Sequence, residues 1–305
     1  MNSKVFSIIV TYNPVISELY EVLTSHLKTS SSGIVIIDNN SLNNVLIKEL
    51  ISSNNIMSNI IFQKLENNMG IGYAQNIGIN IAQDSNCSHV LLFDQDSYVP
   101  SDIVDKLLLN EKKLIADGQS PGAVGPNYID TISRACYKQV LITNYRVKYI
   151  SPNPNLTDMF KVSFLNSSGT LIRLSVLKQI GMMNEGLFID SVDIEWCFRA
   201  SSYGLSFFVV PDLILNHTIG IKRGRSLGRE ISFHSPLRNY YMVRNKFLLL
   251  RFSWVPMCYK IKILIDTIFK SPIYFIDMNF NKDFIVHYFK GLRDGLKNKS
   301  GKLCQ

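Results

Sequence analysis

At 305 residues, with 46% hydrophobic and 18% charged residues, the chain can bury a substantial core, which excludes an intrinsically disordered protein. Its five cysteines (Cys87, Cys136, Cys197, Cys258 and Cys304) lie at wide, irregular spacing, which excludes a disulfide scaffold and a zinc knuckle. The net charge of +8 is carried entirely by residues 241–305, where 12 Lys and Arg meet 4 Asp and no Glu, an excess that points to a polyanionic partner.

The chain opens with a short apolar run, residues 5–10, that ends at Asn13-Pro14. The run is too short for a secretory signal and is followed by a turn, so it reads as a first buried strand. Ile16, Leu19, Tyr20, Leu23 and Leu27 then recur at helical spacing. A second apolar run at 34–37 ends on Asp38, and Ser41 is placed to cap a helix over 42–51. The Asn- and Ser-rich stretch 52–59 is an expected surface loop before a third strand at 60–62. A helix over 72–82 presents Ala74, Ile77 and Ile81 on one face. The fourth apolar strand, 90–93, ends on Asp94, and Ser101 or Asp102 starts a helix through Leu114. From 123 to 211 the pattern is mixed, with strands at 171–173 and 207–210 and a helix starting near Ser191.

Strands that are apolar throughout, alternating with helices, predict an α/β fold: a mostly parallel sheet covered on both faces. Ligands of such sheets bind at the carboxyl ends of the strands. Thr11-Tyr12-Asn13, Asp38 and Asp94 all fall there.

Beyond residue 240 the chain becomes helical, aromatic and basic. No apolar run reaches the roughly 18 residues needed to span a bilayer. Residues 247–258 are broken by Arg251 and Pro256, and 261–269 by Lys262 and Asp266. These segments read as basic amphipathic helices at a membrane interface. The expected organisation is a catalytic domain over 1–240 and a membrane-contacting region over 241–305. No nucleic-acid-binding motif accompanies the basic residues, so nucleic acid is not the expected partner.

Asp94-Gln95-Asp96-Ser97 is the most informative segment. Two carboxylates two residues apart, directly after a buried strand, suit a hard divalent cation (Mg2+ or Mn2+) that keeps positions open for phosphate oxygens. Gly70-Ile71-Gly72 hints at a dinucleotide fingerprint, but Gln75 stands where a third glycine is required.

With these residues in hand, the sequence resembles the family 2 glycosyltransferases, inverting enzymes of the Rossmann-like GT-A fold. The resemblance rests on Val10-Thr11-Tyr12-Asn13, Ile37-Asp38-Asn39-Asn40-Ser41, Asn67-Asn68-Met69-Gly70 with Ala74-Gln75-Asn76-Ile77-Gly78, Asp94-Gln95-Asp96-Ser97, Asp193-Ile194-Glu195-Trp196-Cys197-Phe198-Arg199, and His217. It covers about residues 5–245. Within the family the last blocks look most like bacterial rhamnosyltransferases, which use dTDP-L-rhamnose and extend surface polysaccharides of the O-antigen type.

The resemblance implies roles. Thr11, Tyr12 and Asn13 would flank the nucleoside, with Tyr12 stacking on the base and Asp38 accepting from the base N3–H. Asn68, Gly70 and Asn76 would line the ribose and diphosphate, and Asp94 and Gln95 would lie close by. Asp96 would hold the metal, with His217 as a further ligand. Asp193 would be the catalytic base, with Asp190 and Glu195 as nearby alternatives. Apart from what the resemblance implies, Arg244 and Arg238 are both candidate phosphate contacts, and the basic stretch 221–229 reads either as a lid over bound donor or as a solvated loop. The acceptor would be a saccharide on polyprenyl diphosphate at the inner face of the cell membrane. A UDP-hexose donor is the alternative within the family; a nucleotide-sugar-binding module without turnover is the alternative outside catalysis.

Overall fold

A computed structural model describes residues 3–53, 59–130, 135–143, 146–217, 222–226, 229–277 and 280–303. Its first half alternates β1 (Val5–Thr11), α1 (Ile16–Leu27), β2 (Gly33–Asp38), α2 (Asn44–Ser53), β3 (Ile60–Lys64), α3 (Ile71–Asp84), β4 (His89–Asp94) and α4 (Ile103–Ala116). These are the elements that apolar periodicity predicts. The start of α2 differs because the Ser41 hydroxyl is engaged by Asp38 and by the Asn13 amide. Most of the Asn- and Ser-rich stretch, residues 54–58, lies outside the described residues.

The mixed middle supplies β5 (Pro121–Asp130), β6 (Gln139–Ile142), β7 (Val147–Ile150), β8 (Phe160–Val162), β9 (Thr170–Arg173), α5 (Leu174–Ile180), α6 (Val192–Ser201) and β10 (Ser206–His217). Among the described residues eight strands form one sheet in the order β3-β2-β1-β4-β9-β5-β10-β8. β3, β2, β1 and β4 run parallel, as do β5 and β10, while β9 and β8 are antiparallel to their neighbours.

Alternation along the strands divides the core. Ile9, Ile34, Ile36, Leu91 and Phe93 pack with Leu19 and Leu23 of α1, Ile47 of α2 and Leu107 of α4. Ile8, Val10, Val35, Ile37 and Leu92 pack with Ala74 and Ile79 of α3, Leu177 of α5 and Trp196 of α6. Both faces are therefore covered, as buried parallel strands require.

The basic stretch after residue 221 contributes a hairpin of β11 (Lys222–Ser226) and β12 (Arg229–Phe233); residues 221, 227 and 228 lie outside the described set. Three helices follow: α7 (Pro236–Leu249), α8 (Met257–Asp277) and α9 (Lys282–Leu296). The boundary expected after residue 240 falls inside α7. That helix meets α9 closely because α9 carries glycines where a side chain would collide: a Cβ at Gly291 would lie 2.5 Å from the Tyr240 carbonyl oxygen. No helix among the described residues is long and apolar enough to cross a membrane.

Candidate active site

The register of the parallel strands lines up their carboxyl ends. Thr11 pairs with Asp38 across β1 and β2, and Val10 pairs with Asp94 across β1 and β4. Thr11 and Asp38 are fully buried there. The Asp38 carboxylate accepts from Thr11 Oγ1 at 3.0 Å, from the Ser41 amide at 3.0 Å and from the Ser41 hydroxyl. The Asn13 amide donates to Ser41 Oγ at 2.8 Å, and the Asn13 side chain accepts from the Leu42 amide at 2.8 Å. Asp38 thus knots the loops after β1 and β2 together, and Tyr12, 49% exposed, stands on top of the knot. The Asp38 carboxylate is buried and fills three acceptor positions of about four with this chain's own donors.

The acidic turn after β4 is fixed from beneath. Gln95 Oε1 accepts from the Tyr12 amide at 2.7 Å, tying the turn to the end of β1. The Ser97 hydroxyl bonds the Ser168 hydroxyl, and the Ser168 carbonyl accepts from Tyr128 Oη at 2.6 Å. Buried His26 donates from Nε2 to the Ser97 carbonyl. Burial drives its pKa down to about 4, so at neutral pH it is an uncharged prop behind the carboxylates. Asp94 is half-buried and Asp96 is exposed.

Asp193 arrives from the other side of the sheet, on the first turn of α6. Burial pushes its pKa up to about 6; the nearby charges of Asp94 and Asp190 add to the rise, and amides of Ile194 and Ser167 oppose it. The Ile194 amide is 2.8 Å from Oδ1. Asp190 pairs with Arg238 of α7 at 3.2 Å. Burial works against the Arg238 charge, but Asp190, then Asp94 and Asp96, outweigh it and hold its pKa above the ordinary value. Four carboxylates from two distant stretches of chain and one guanidinium therefore share one electrostatic neighbourhood at the carboxyl edge. A convergence of carboxylates with a raised Asp193 and a paired Arg238 is the kind of cluster found at functional sites.

Several expected site residues are placed elsewhere. Arg244 is 1% exposed, and its guanidinium is committed to the carbonyls of Gly186, Leu187 and Gly301 and to Asn245 Oδ1. It therefore offers nothing to a phosphate; Arg238 is the arginine that reaches the carboxylates. Asn76 is spent within the chain: it staples α3 to the segment before α6, exchanging bonds with the Met183 backbone and donating to Glu185 at 2.8 Å. Gly70, with φ 88°, is needed for close approach, but to this chain's own Phe188, whose carbonyl oxygen would sit 2.4 Å from an added Cβ. Half-buried Asn68 shapes that loop, accepting from Asn39 and from the Gly70 amide. Glu195 is fully buried and bound to Arg199 at 3.0 Å and to Trp254 Nε1 at 3.1 Å, which removes it as an alternative base. His217 ends β10, and its side chain lies outside the described residues, as do residues 218–220.

Among the described residues no three His, Cys, Asp or Glu side chains close on one point. A cation of the Mg2+ type does not need such a cage: it is commonly held by one or two carboxylates, with substrate phosphates and water completing its shell. Exposed Asp96 and half-buried Asp94 fit that donor set.

Comparison with known proteins bears on the same region. The sequence profile of the Glycosyl transferase family 2 matches residues 7–181. The dTDP-rhamnosyl transferase RfbF of Shigella flexneri is 32% identical over 304 residues, covering 99% of this chain and 98% of that protein. Two solved structures share the fold. The crystal structure of GalNAc-T7 with UDP, GalNAc and Mn2+ superposes with a TM-score of 0.59 at 16% identity, covering 97% of this chain and 56% of that one. The structure of S. aureus TarS 1-349 in complex with UDP-GlcNAc gives 0.56 at 19% identity, covering 96% and 81%. This chain spans little more than half of the GalNAc-T7 chain, and at these identities the likeness to both is one of architecture.

Proposed function

The chain belongs to glycosyl transferase family 2, and from that premise we propose that it moves L-rhamnose from dTDP-L-rhamnose, with inversion, to a saccharide carried on polyprenyl diphosphate. The product extends a bacterial surface polysaccharide of the O-antigen type. The fold is GT-A and the chain is a glycosyltransferase. The observation that carries the reading is the meeting of Asp94, Asp96, Asp190, Asp193 and Arg238 at one edge of the sheet. The choice of donor is supported by the near-full-length likeness to RfbF.

In this reading the nucleoside lies over Tyr12, whose exposed ring offers a face to the base. The diphosphate approaches Asp96, Asp94 and Arg238. Asp94 and Asp96 would hold a divalent cation, which when bound would supply positive charge against the departing diphosphate. Asp193 takes the proton of the acceptor hydroxyl, and that oxygen forms its bond to the anomeric carbon. The bond from this carbon to the diphosphate oxygen breaks on the opposite side, and its electron pair leaves with dTDP. One base suffices, and no covalent sugar-enzyme intermediate is formed. A carboxylate with a pKa near 6 is suited to the step: it is mostly ionised at neutral pH, yet more basic than an ordinary aspartate.

The donor is tested by measuring nucleotide release with a lipid-linked saccharide acceptor and each of dTDP-L-rhamnose, UDP-glucose and UDP-galactose. The expected result is turnover with dTDP-L-rhamnose at least about tenfold above the others, a discrimination of roughly 1.4 kcal/mol. Preference for a UDP-hexose would overturn the donor assignment, and nucleotide-sugar binding without turnover would overturn catalysis.

The C-terminal helices are read as the seat on the membrane. Met257, Ile261, Leu264, Ile265, Ile268 and Phe269 form an exposed apolar stripe along α8, at the spacing of one helix face. The chain's whole positive excess lies in the same C-terminal region, residues 241–305. An anionic bilayer complements both features, whereas a second copy would bring like charge against like. We expect co-sedimentation with vesicles containing phosphatidylglycerol, weakened by salt and lost in the double variant Ile265→Glu, Phe269→Glu. Equal binding to pure phosphatidylcholine, or a dimer abolished by the same double substitution, would contradict this assignment.

A further inference from the structure

The loop that delivers Asp190 and Asp193 is held in an unusual shape by residues remote from it in sequence. Phe188, Asp190 and Ser191 have φ of 63°, 65° and 64°, a region that L side chains seldom adopt. Carbonyls turned out of regular structure in this way need donors. Asn245 of α7, fully buried, supplies them: its Nδ2 donates to the carbonyls of Leu187 at 2.9 Å, Ile189 at 2.7 Å and Asp190 at 2.8 Å. Arg244 Nη2 adds bonds to Leu187 at 2.8 Å and Gly186 at 3.3 Å, while its Nε and Nη2 lock Asn245 Oδ1. The C-terminal tail closes the assembly. Gly301 accepts from Arg244 Nη1 and donates to the Gly186 carbonyl at 2.6 Å.

We propose that Arg244 and Asn245 are positioning residues, a buried clamp that holds the 187–191 loop in its left-handed shape and so aims Asp193 at the acceptor. The proposal rests on the reading of Asp193 as the base. Neither clamp residue touches substrate. Both lie beyond the stretch matched by the family profile, so the helices after β12 take part in the geometry of the reaction as well as in docking.

The test is Asn245→Asp, which keeps the shape and the acceptor for Arg244 but removes both N–H donors. Expected are a kcat lowered by about 10–100-fold with donor KM within about threefold, and faster amide exchange in the 186–191 peptide. Should that variant fail to fold, Arg244→Lys, which keeps the charge above Tyr240 and Tyr241 but loses the fork, is expected to give the same split with a smaller loss. Unchanged exchange at 186–191 overturns the clamp, and so does a loosened loop with full kcat. Asp193→Asn, assayed alongside, separates the two readings. If it retains full activity the base assignment fails, while loosened exchange in Asn245→Asp still supports the clamp on the loop.

Discussion

Replacing Asp193 by Asn lowers kcat by about 10²–10⁴-fold, the range expected for loss of a general base, and leaves donor KM nearly unchanged. In the proposed mechanism the diphosphate meets Asp96, Asp94 and Arg238 while Asp193 meets the acceptor, so the loss falls on kcat rather than on donor KM. The pH dependence follows from its raised pKa. Below about pH 6 the carboxyl holds its proton and cannot take one from the acceptor. The rate therefore falls as pH falls through that value, and reaches a plateau above it. The limb appears in kcat/KM, which reports the free enzyme. The titratable groups that couple to Asp193 are Asp94, Asp190, Tyr128, Cys197 and Tyr259, and the amides of Ile194 and Ser167 bond toward it.

A second signature accompanies the loss of activity. A carboxyl group whose folded pKa lies above its unfolded value costs stability once ionised. That penalty is absent below the unfolded pKa of 3.8 and fully present above about 6. Asp193→Asn should thus be more stable than the parent by about 1–3 kcal/mol at neutral pH, read from urea unfolding. An inactive but stabilised variant is hard to explain for a structural aspartate. A variant within tenfold of parental kcat, or an equal loss on replacing Asp190 alone, would falsify the assignment of the base to Asp193.

Replacing Asp96 by Ala lowers turnover by about 10²–10³-fold, the loss typical when one group that stabilises transition-state charge is removed. It also shifts the Mn2+ activation curve to higher metal concentration. Asp96 is exposed at the turn after β4, so the melting temperature should hardly move, in contrast to Asp193→Asn. Chelation of divalent metal should abolish turnover of the parent and leave little further to lose in the variant. Full turnover after exhaustive chelation, or an unaltered metal requirement in Asp96→Ala, would remove the cation from the mechanism.

The alternation of buried strands and amphipathic helices over residues 5–116 was legible along the chain, because apolar period and turn residues are local signals. The same signals put Asp38 and Asp94 at strand ends, and with them the side of the sheet on which the site lies. The strands β5 to β8 were not legible: they are short, or take their pairing from neighbours distant in sequence, and periodicity does not record such partners. Nor did the sequence separate Arg238 from Arg244. Six residues apart on one helix, they point about 120° away from each other, and only the packing of α7 against α9 and the tail decides which is buried. Asn76 and Gly70 matched a motif, yet their contacts are with Met183, Glu185 and Phe188, more than 100 residues on. Residue type at a given spacing determined which chemical groups this protein has at the sheet edge. Tertiary structure alone decided which of them are spent on the chain's own carbonyls and which are left facing a substrate, since a buried donor must find an acceptor wherever the fold supplies one.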